Sequence, residues 1–241
     1  VEQYQIADVV SSDLSQVASE ADLVVFCVPI GAMGPIAREL VRIIPPNAVI
    51  TDVGSVKGPV VETLAPIFAQ RGRFLGSHPM AGSERAGIEA AQADLFQDAV
   101  CILTPAADSE DAPAVRELAG FWELLGCRVR VLEPRVHDET VALISHLPHL
   151  MAAMMVNLVA ATKPSALDYC GNGFRDTTRV ASGPAPMWAE ILLSNRDAVK
   201  TFTQEMIESL KEVVRLLDAR DMGGVQELLK NANRQRDLLR K

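Results

Sequence analysis

Arg73-Phe74-Leu75-Gly76-Ser77-His78-Pro79-Met80-Ala81-Gly82-Ser83-Glu84 is the stretch on which the reading of this chain turns. The apolar run Arg73-Phe74-Leu75 predicts a short strand that leads straight into glycines, small hydroxyls and one imidazole. His78 is therefore expected just past the carboxyl end of a parallel strand, where open α/β sheets bind their ligands. The chain has only 4 histidines. One that stands at a strand exit is the first candidate for an acid/base group, because imidazole changes charge near neutral pH. Upstream, the apolar Ala48-Val49-Ile50 runs into Thr51-Asp52-Val53-Gly54-Ser55-Val56-Lys57-Gly58, a second strand ending in a small polar turn. Two such turns side by side form a crevice.

Outward from there, the first half alternates strand and helix. Leu23–Val28 is an apolar run without alternation, as a strand buried on both faces would be. Pro29 closes it, and helical patterning follows over 33–44. Ala48–Asp52 is the next strand, 57–70 a helix with Pro59 in its first turn, and 99–103 a further strand. Residues 111–125 read as a helix stopped by Gly126, and 129–132 as a last strand. This order predicts parallel βαβ units in a doubly wound sheet. Beyond Glu133 no strand is evident. Helices are expected over 138–161, 186–193, 198–217 and 221–239. The expected division is a sheet domain over 1–133 and an all-helical domain over 134–241.

Composition excludes several classes. A net charge of −8 argues against a nucleic-acid partner. The four cysteines, Cys27, Cys101, Cys127 and Cys170, form no CxxC pair, so no metal site is expected. They read as buried free thiols of a cytoplasmic protein. The N-terminus lacks the basic-then-apolar pattern of a signal peptide. Val141–Ala161 is long enough to span a bilayer. It contains His146, Pro148, His149 and Asn157 and lacks basic anchors, so it reads as a buried helix rather than a membrane span.

The helical half carries one dense polar cluster, Gly171-Asn172-Gly173-Phe174-Arg175-Asp176-Thr177-Thr178-Arg179-Val180. Arginine clamps carboxylates because its planar fork donates two parallel hydrogen bonds. Trp188 follows as a possible wall of an apolar pocket, although a core tryptophan would look the same. His146 and His149 share a helix face, and His137-Asp138 is placed at a helix start, with the acid near its positive end. One signature is missing: no GxGxxG turn with its ribose-binding acid occurs. The sequence enters as if mid-domain, so the opening βαβ unit is expected to be absent from it. A polypeptide that truly began at Val1 would be expected to bind a dinucleotide poorly.

Taken in order, Thr-Asp-Val-Gly-Ser-Val-Lys from Thr51, Gly-Ser-His-Pro-Met-Ala-Gly-Ser-Glu from Gly76, Ile-Ser-His-Leu-Pro-His from Ile144 and Gly-Phe-Arg-Asp-Thr-Thr-Arg-Val from Gly173 resemble the prephenate/arogenate (cyclohexadienyl) dehydrogenase family of tyrosine biosynthesis. The resemblance implies a Rossmann-like sheet domain, a helical dimerisation domain, a homodimer, and oxidative decarboxylation of prephenate or arogenate with NAD or NADP. By motif, His78 resembles the catalytic histidine at the ring hydroxyl, Ser55 the serine that orients it, and Arg179 the arginine that holds the ring carboxylate. Ser83, Glu84, His149 and Gly173 fall where the family lines the substrate pocket. Arg175, Asp176 and Trp188 resemble residues at its entrance, with Asp138 reaching it from the partner subunit. Val28, Pro29, Ile30, Asp52 and Ser55 are the residues left to touch the cofactor. Two rivals stand beside this reading. A β-hydroxyacid-type dehydrogenase would be expected to use a lysine base on the helical domain, where this chain offers arginines. A non-catalytic binding module fits the missing glycine turn but not the intact set of His78, Ser55 and Arg179.

Overall fold

The computed structural model describes residues 6–82, 87–106 and 112–239. A short helix, α1 (Leu14–Ala18), is capped by the Asp13 carboxylate, which accepts from Ser15 N–H. Two βαβ units follow: β1 (Leu23–Phe26), α2 (Ile30–Leu40), β2 (Val49–Asp52), α3 (Gly58–Phe68) and β3 (Arg73–Phe74). β1, β2 and β3 pair in parallel, with Phe26 opposite Asp52 and Ile50 opposite Phe74.

After Leu75, whose N–H still bonds the Ile50 carbonyl, the chain continues as β4 (Gly76–Pro79). β4 leaves β2 and pairs antiparallel with β5 (Val100–Thr104), placing His78 opposite Ile102. His78 is thus a buried strand residue, not a residue past the strand end as the apolar run suggested. The run looked short because Gly76 and Ser77 carry no apolar signal. Gly76 is needed there because a Cβ would run into Thr104 Oγ1. β5, α4 (Ala112–Leu124) and β6 (Arg128–Val131) form a third βαβ unit with a parallel pair. Each parallel pair is bridged by a helix. Between β4 and β5 the described residues hold only a 3₁₀ turn, Ile88–Ala90, and strands joined without a crossover run antiparallel.

The strands' alternation places helices on both faces. Ile50 and Phe74 pack with Met33, Leu40, Leu64 and Phe68 of α2 and α3. Val49, Leu75 and Leu103 pack with Leu118 and Trp122 of α4 on the other side. α4 stops as its sequence predicts: Gly126 takes φ 94°, and Cys127 N–H returns to the Trp122 carbonyl. β1 departs from expectation. Only Phe26 of its residues is buried, because it lies at the edge of the described sheet. Cys27, just beyond it, is exposed, Cys170 is half-buried, and only Cys101 and Cys127 are buried thiols.

Beyond the sheet come α5 (Pro134–Val141), a π-helical turn (Ala142–His146), α6 (Leu147–Thr162), a 3₁₀ turn (Pro164–Tyr169), α7 (Asn172–Thr178), a second 3₁₀ turn (Arg179–Ser182) and α8 (Ala185–Ser194). Glu133 caps α5, so the helix begins before His137-Asp138. The chain divides into two compact units at Arg196/Asp197, so the sheet and α5 to α8 pack as one body. The other unit holds α9 (Arg196–Asp218) and α10 (Met222–Leu238). The stretch read as a buried helix is not buried in the single chain: Met154, Met155 and Leu158 of α6 are exposed. Pro134–Thr162 is long and apolar enough to cross a membrane by length and composition. Only 33% of its most apolar window is covered within one copy.

Candidate active site

The site starts from one buried carboxylate. α3 opens at Lys57 with no cap of its own. Asp138 of α5 supplies it, accepting from Lys57 N–H through Oδ1 (2.7 Å) and from Gly58 N–H through Oδ2 (2.8 Å). Asp138 is therefore engaged within its own chain, which corrects the expectation that it serves a partner's pocket or the start of its own helix. The same Oδ1 lies 2.8 Å from His137 Nδ1, and His137 Nε2 lies 2.8 Å from His78 Nδ1. A carboxylate can only accept, so His137 carries its proton on Nδ1 and presents a lone pair at Nε2. His78 must then donate from Nδ1, which leaves the lone pair of its Nε2 unused by this chain. The hydrogen-bond network assigns both tautomers.

Burial first, with the ammonium of Lys57 close by, holds His78 well below the usual imidazole range. His78 is thus kept neutral, as a proton acceptor requires. Lys57 itself is fully buried. Burial draws its ammonium downward, while an ion pair with Asp52 opposes that pull. Lys57 Nζ also donates to the Ser77 carbonyl (2.8 Å), and Asp52 accepts from Gly54 N–H (2.9 Å). Asp52 is fully enclosed by these contacts. It braces the β2 exit against β4 and lines neither cavity described below, contrary to its expected place beside a cofactor.

Two cavities adjoin this network. One, of about 570 Å³, lies at the exits of β1 and β2. Its walls are Cys27, Val28, Pro29, Ile30, Val53, Gly54 and Ser55, faced by Pro184, Pro186, Met187, Glu190 and Ile191 from α8 and its approach. Val28, Pro29, Ile30 and Ser55 thus share one wall. The other, of about 420 Å³, brings together His78, Ser55, Arg179 and Trp188 with Met80, Ser145 and Gly183. Ser55, Met187 and Ile191 line both cavities, so the two meet along these residues.

The remaining sequence candidates divide. The His149 ring stacks on Trp188, with centroids 3.5 Å apart and planes at 11°. It backs the cavity wall rather than forming it. His146 is fully buried against Asn195, and burial pulls it down to about 4 against the opposing charge of Asp138. Gly173 and Arg175 lie on the exposed α7, outside the cavity, and Arg175 Nε donates to the Cys170 carbonyl. Asp176 is exposed on the same helix. Ser83 and Glu84 fall outside the described residues. Sequence reasoning missed His137, Met187 and Ile191. The His137-Asp138 pair was a usable signal for the first, while nothing local marks the other two. No group of three or more metal-ligating side chains occurs among the described residues.

Comparison with known proteins bears on this arrangement. Residues 1–131 match the family model for the nucleotide-binding domain of prephenate dehydrogenase, and residues 133–231 match that for its dimerization domain. The chain belongs to the prephenate dehydrogenase family. It is 34% identical to the cyclohexadienyl dehydrogenase of Zymomonas mobilis, over 96% of this chain and 80% of that protein. Among solved structures, prephenate dehydrogenase from A. aeolicus, in complex with hydroxyphenyl propionate and NAD+, superposes with a TM-score of 0.88 at 30% identity. That match covers 95% of this chain and 80% of the other. Synechocystis arogenate dehydrogenase gives a TM-score of 0.83 at 30% identity, covering 95% and 82%. Residues 1–131 thus carry the family's nucleotide-binding domain, and NAD+ is bound in the A. aeolicus relative. The larger cavity fits a nicotinamide ring: its walls are mostly apolar, it lies at strand exits, and along Ser55, Met187 and Ile191 it meets the cavity that His78 lines.

Proposed function

We propose that this chain oxidatively decarboxylates prephenate, arogenate or both, with NAD or NADP as hydride acceptor, in tyrosine biosynthesis. The observation that carries the reading is the tethering of His78. Its Nδ1 is committed to His137, and the ring lines a cavity that shares Ser55 with the one fit for nicotinamide. In this reading the substrate ring lies in the smaller cavity, with its carboxylate on Arg179 and its hydroxyl between His78 and Ser55. The hydroxyl proton passes to His78 Nε2. The nicotinamide, when bound against Val28, Pro29, Ile30 and Ser55, supplies the acceptor for the hydride given up by the same ring carbon. Departure of the ring carboxylate as carbon dioxide leaves an aromatic ring. His137 and Asp138 hold the tautomer that makes this transfer possible. Trp188, steadied by His149, forms the apolar wall.

The apolar face of α6 supports a homodimer in which a second copy covers Met154, Met155 and Leu158. In the other unit, Ile207, Leu210 and Val214 of α9 line a further open apolar groove. In this reading residues 1–133 form the cofactor side and residues 134–241 the substrate and dimerisation side of a cytoplasmic enzyme. By motif, Ser83 and Glu84 belong to the substrate side.

The test is the appearance of reduced nicotinamide with prephenate and with arogenate, each offered with NAD+ and with NADP+. Turnover with either substrate is the expected result. Binding of a dinucleotide without turnover of either would overturn the assignment in favour of a non-catalytic module.

A further inference from the structure

Glu190 is the one charged side chain among the residues lining the larger cavity. Its position is held from both sides. α8 presents Met187, Glu190 and Ile191 on one face, at the spacing that places side chains together on a helix. Across the cavity, α2 begins after Pro29 with no side-chain cap of its own. Gly31 N–H there donates to Glu190 Oε1 at 2.6 Å. A Cβ on Gly31 would sit 3.1 Å from that oxygen, so the glycine is what lets the carboxylate approach so closely. One carboxylate oxygen is thus fixed on the backbone, and the group is held at the edge of an otherwise uncharged, mostly apolar space.

We propose that Glu190 makes this cavity discriminate the oxidation state of the nicotinamide ring, holding the oxidised form and letting the reduced form go. The proposal rests on the assignment of this cavity to the nicotinamide. The chemistry is general. An oxidised nicotinamide is a pyridinium that carries one positive charge, and hydride addition at the ring carbon removes that charge. A carboxylate fixed beside the ring in low-dielectric surroundings attracts the first form and gains nothing from the second. Turnover would therefore abolish the attraction that holds the cofactor, favouring release of the reduced product. Glu190 acts in this account as a specificity-determining residue on the cofactor side, separate from the proton chemistry at His78.

The experiment is calorimetric titration of the full-length protein and its Glu190→Gln and Glu190→Asp variants, without substrate. The probes are NAD+ and NADH, and then oxidised and reduced nicotinamide mononucleotide, which carry the nicotinamide half alone. Wild type is expected to favour the oxidised member of each pair relative to Glu190→Gln by about tenfold, the size of one partly screened charge interaction. NADH affinity and melting temperature should stay near wild type, and Glu190→Asp should retain part of the preference. A purely structural cap on α2 would shift both oxidation states together and leave the ratio unmoved. An unchanged ratio, with both forms bound, would overturn the proposal while the family reading stood. Binding of none of the four probes would remove the cavity assignment, and the proposal with it.

Discussion

The two cavities share three residues and are built on opposite plans. The larger takes its shape from backbone turns at the exits of β1 and β2 and from a helix face, with a single charge at its edge. The smaller stands on a buried chain of titratable groups running from Asp138 through His137 to His78. Accepting a flat ring needs a fitted, mostly apolar space. Moving a proton needs a lone pair aimed in one direction, and only fixed donors and acceptors can provide that. Substitutions should therefore separate the two plans by which kinetic constant they move.

Replacing the base should have the largest effect. His78→Asn should lower kcat by about 10²–10⁴-fold while leaving NAD+ affinity near wild type, as read by steady-state kinetics beside direct titration. Arg179→Gln should raise KM by about 10- to 100-fold with a smaller change in kcat, because it removes a charge-assisted contact made in the ground state as well. If the two variants showed each other's pattern, their roles would have to be exchanged. His137→Phe should reduce kcat by about tenfold or more, since it leaves His78 Nδ1–H without its acceptor and frees the other tautomer. It should not disturb the α3 cap that Asp138 provides.

The pH response follows from the same network. His78 and His146 are both depressed by burial relative to 6.5, His146 to about 4. Below 6.5 the unfolded chain takes up more protons than the native one, so the stability these two groups contribute is full above 6.5. It is lost as pH falls toward their native values. Urea unfolding at a series of pH values should show the loss, and His146→Gln should flatten it. For the same reason the acid limb of kcat/KM should lie below the ordinary imidazole range. The smallest effect is expected from Gly183→Ala. Gly183 has φ −62°, so alanine fits the backbone. Its Cβ, however, would run into Trp188 Nε1 and lie 3.3 Å from His149 Cε1. A few-fold rise in KM with kcat nearly unchanged is expected, together with a shift in tryptophan fluorescence.

What could be read from the sequence was what chain neighbours determine. The βαβ order and the stop at Gly126 follow from local pattern. His78 stood out because polar residues interrupt an apolar run. Its surroundings could not be read, because β4 and α5 lie far apart in the chain and meet only in the fold. The same distance hid the role of Asp138. A carboxylate beside a predicted helix start is naturally assigned to its own helix, whereas here it caps α3. The antiparallel turn of β4 onto β5 was equally silent, since direction within a sheet depends on the connection and not on the strand's residues. Arg175 and Gly173 were placed by motif alone, and α7 turns them outward.

The π-helical turn at Ala142–His146 sets the rotational phase between two surfaces. Upstream, His137 and Asp138 aim at the sheet; downstream, His149 aims at Trp188. Each α-helical residue advances the helix by about 100°, and a π-turn accommodates one residue more than an α-turn. Deleting a single residue within 142–146 would let the turn relax to an ordinary α-helix with both surfaces still aimed as they are, whereas inserting one more would rotate one surface against the other by about 100°. Both sets of aromatic and carboxylate contacts could not then be kept. In this segment the gain of one codon would thus be far harder to tolerate than its loss.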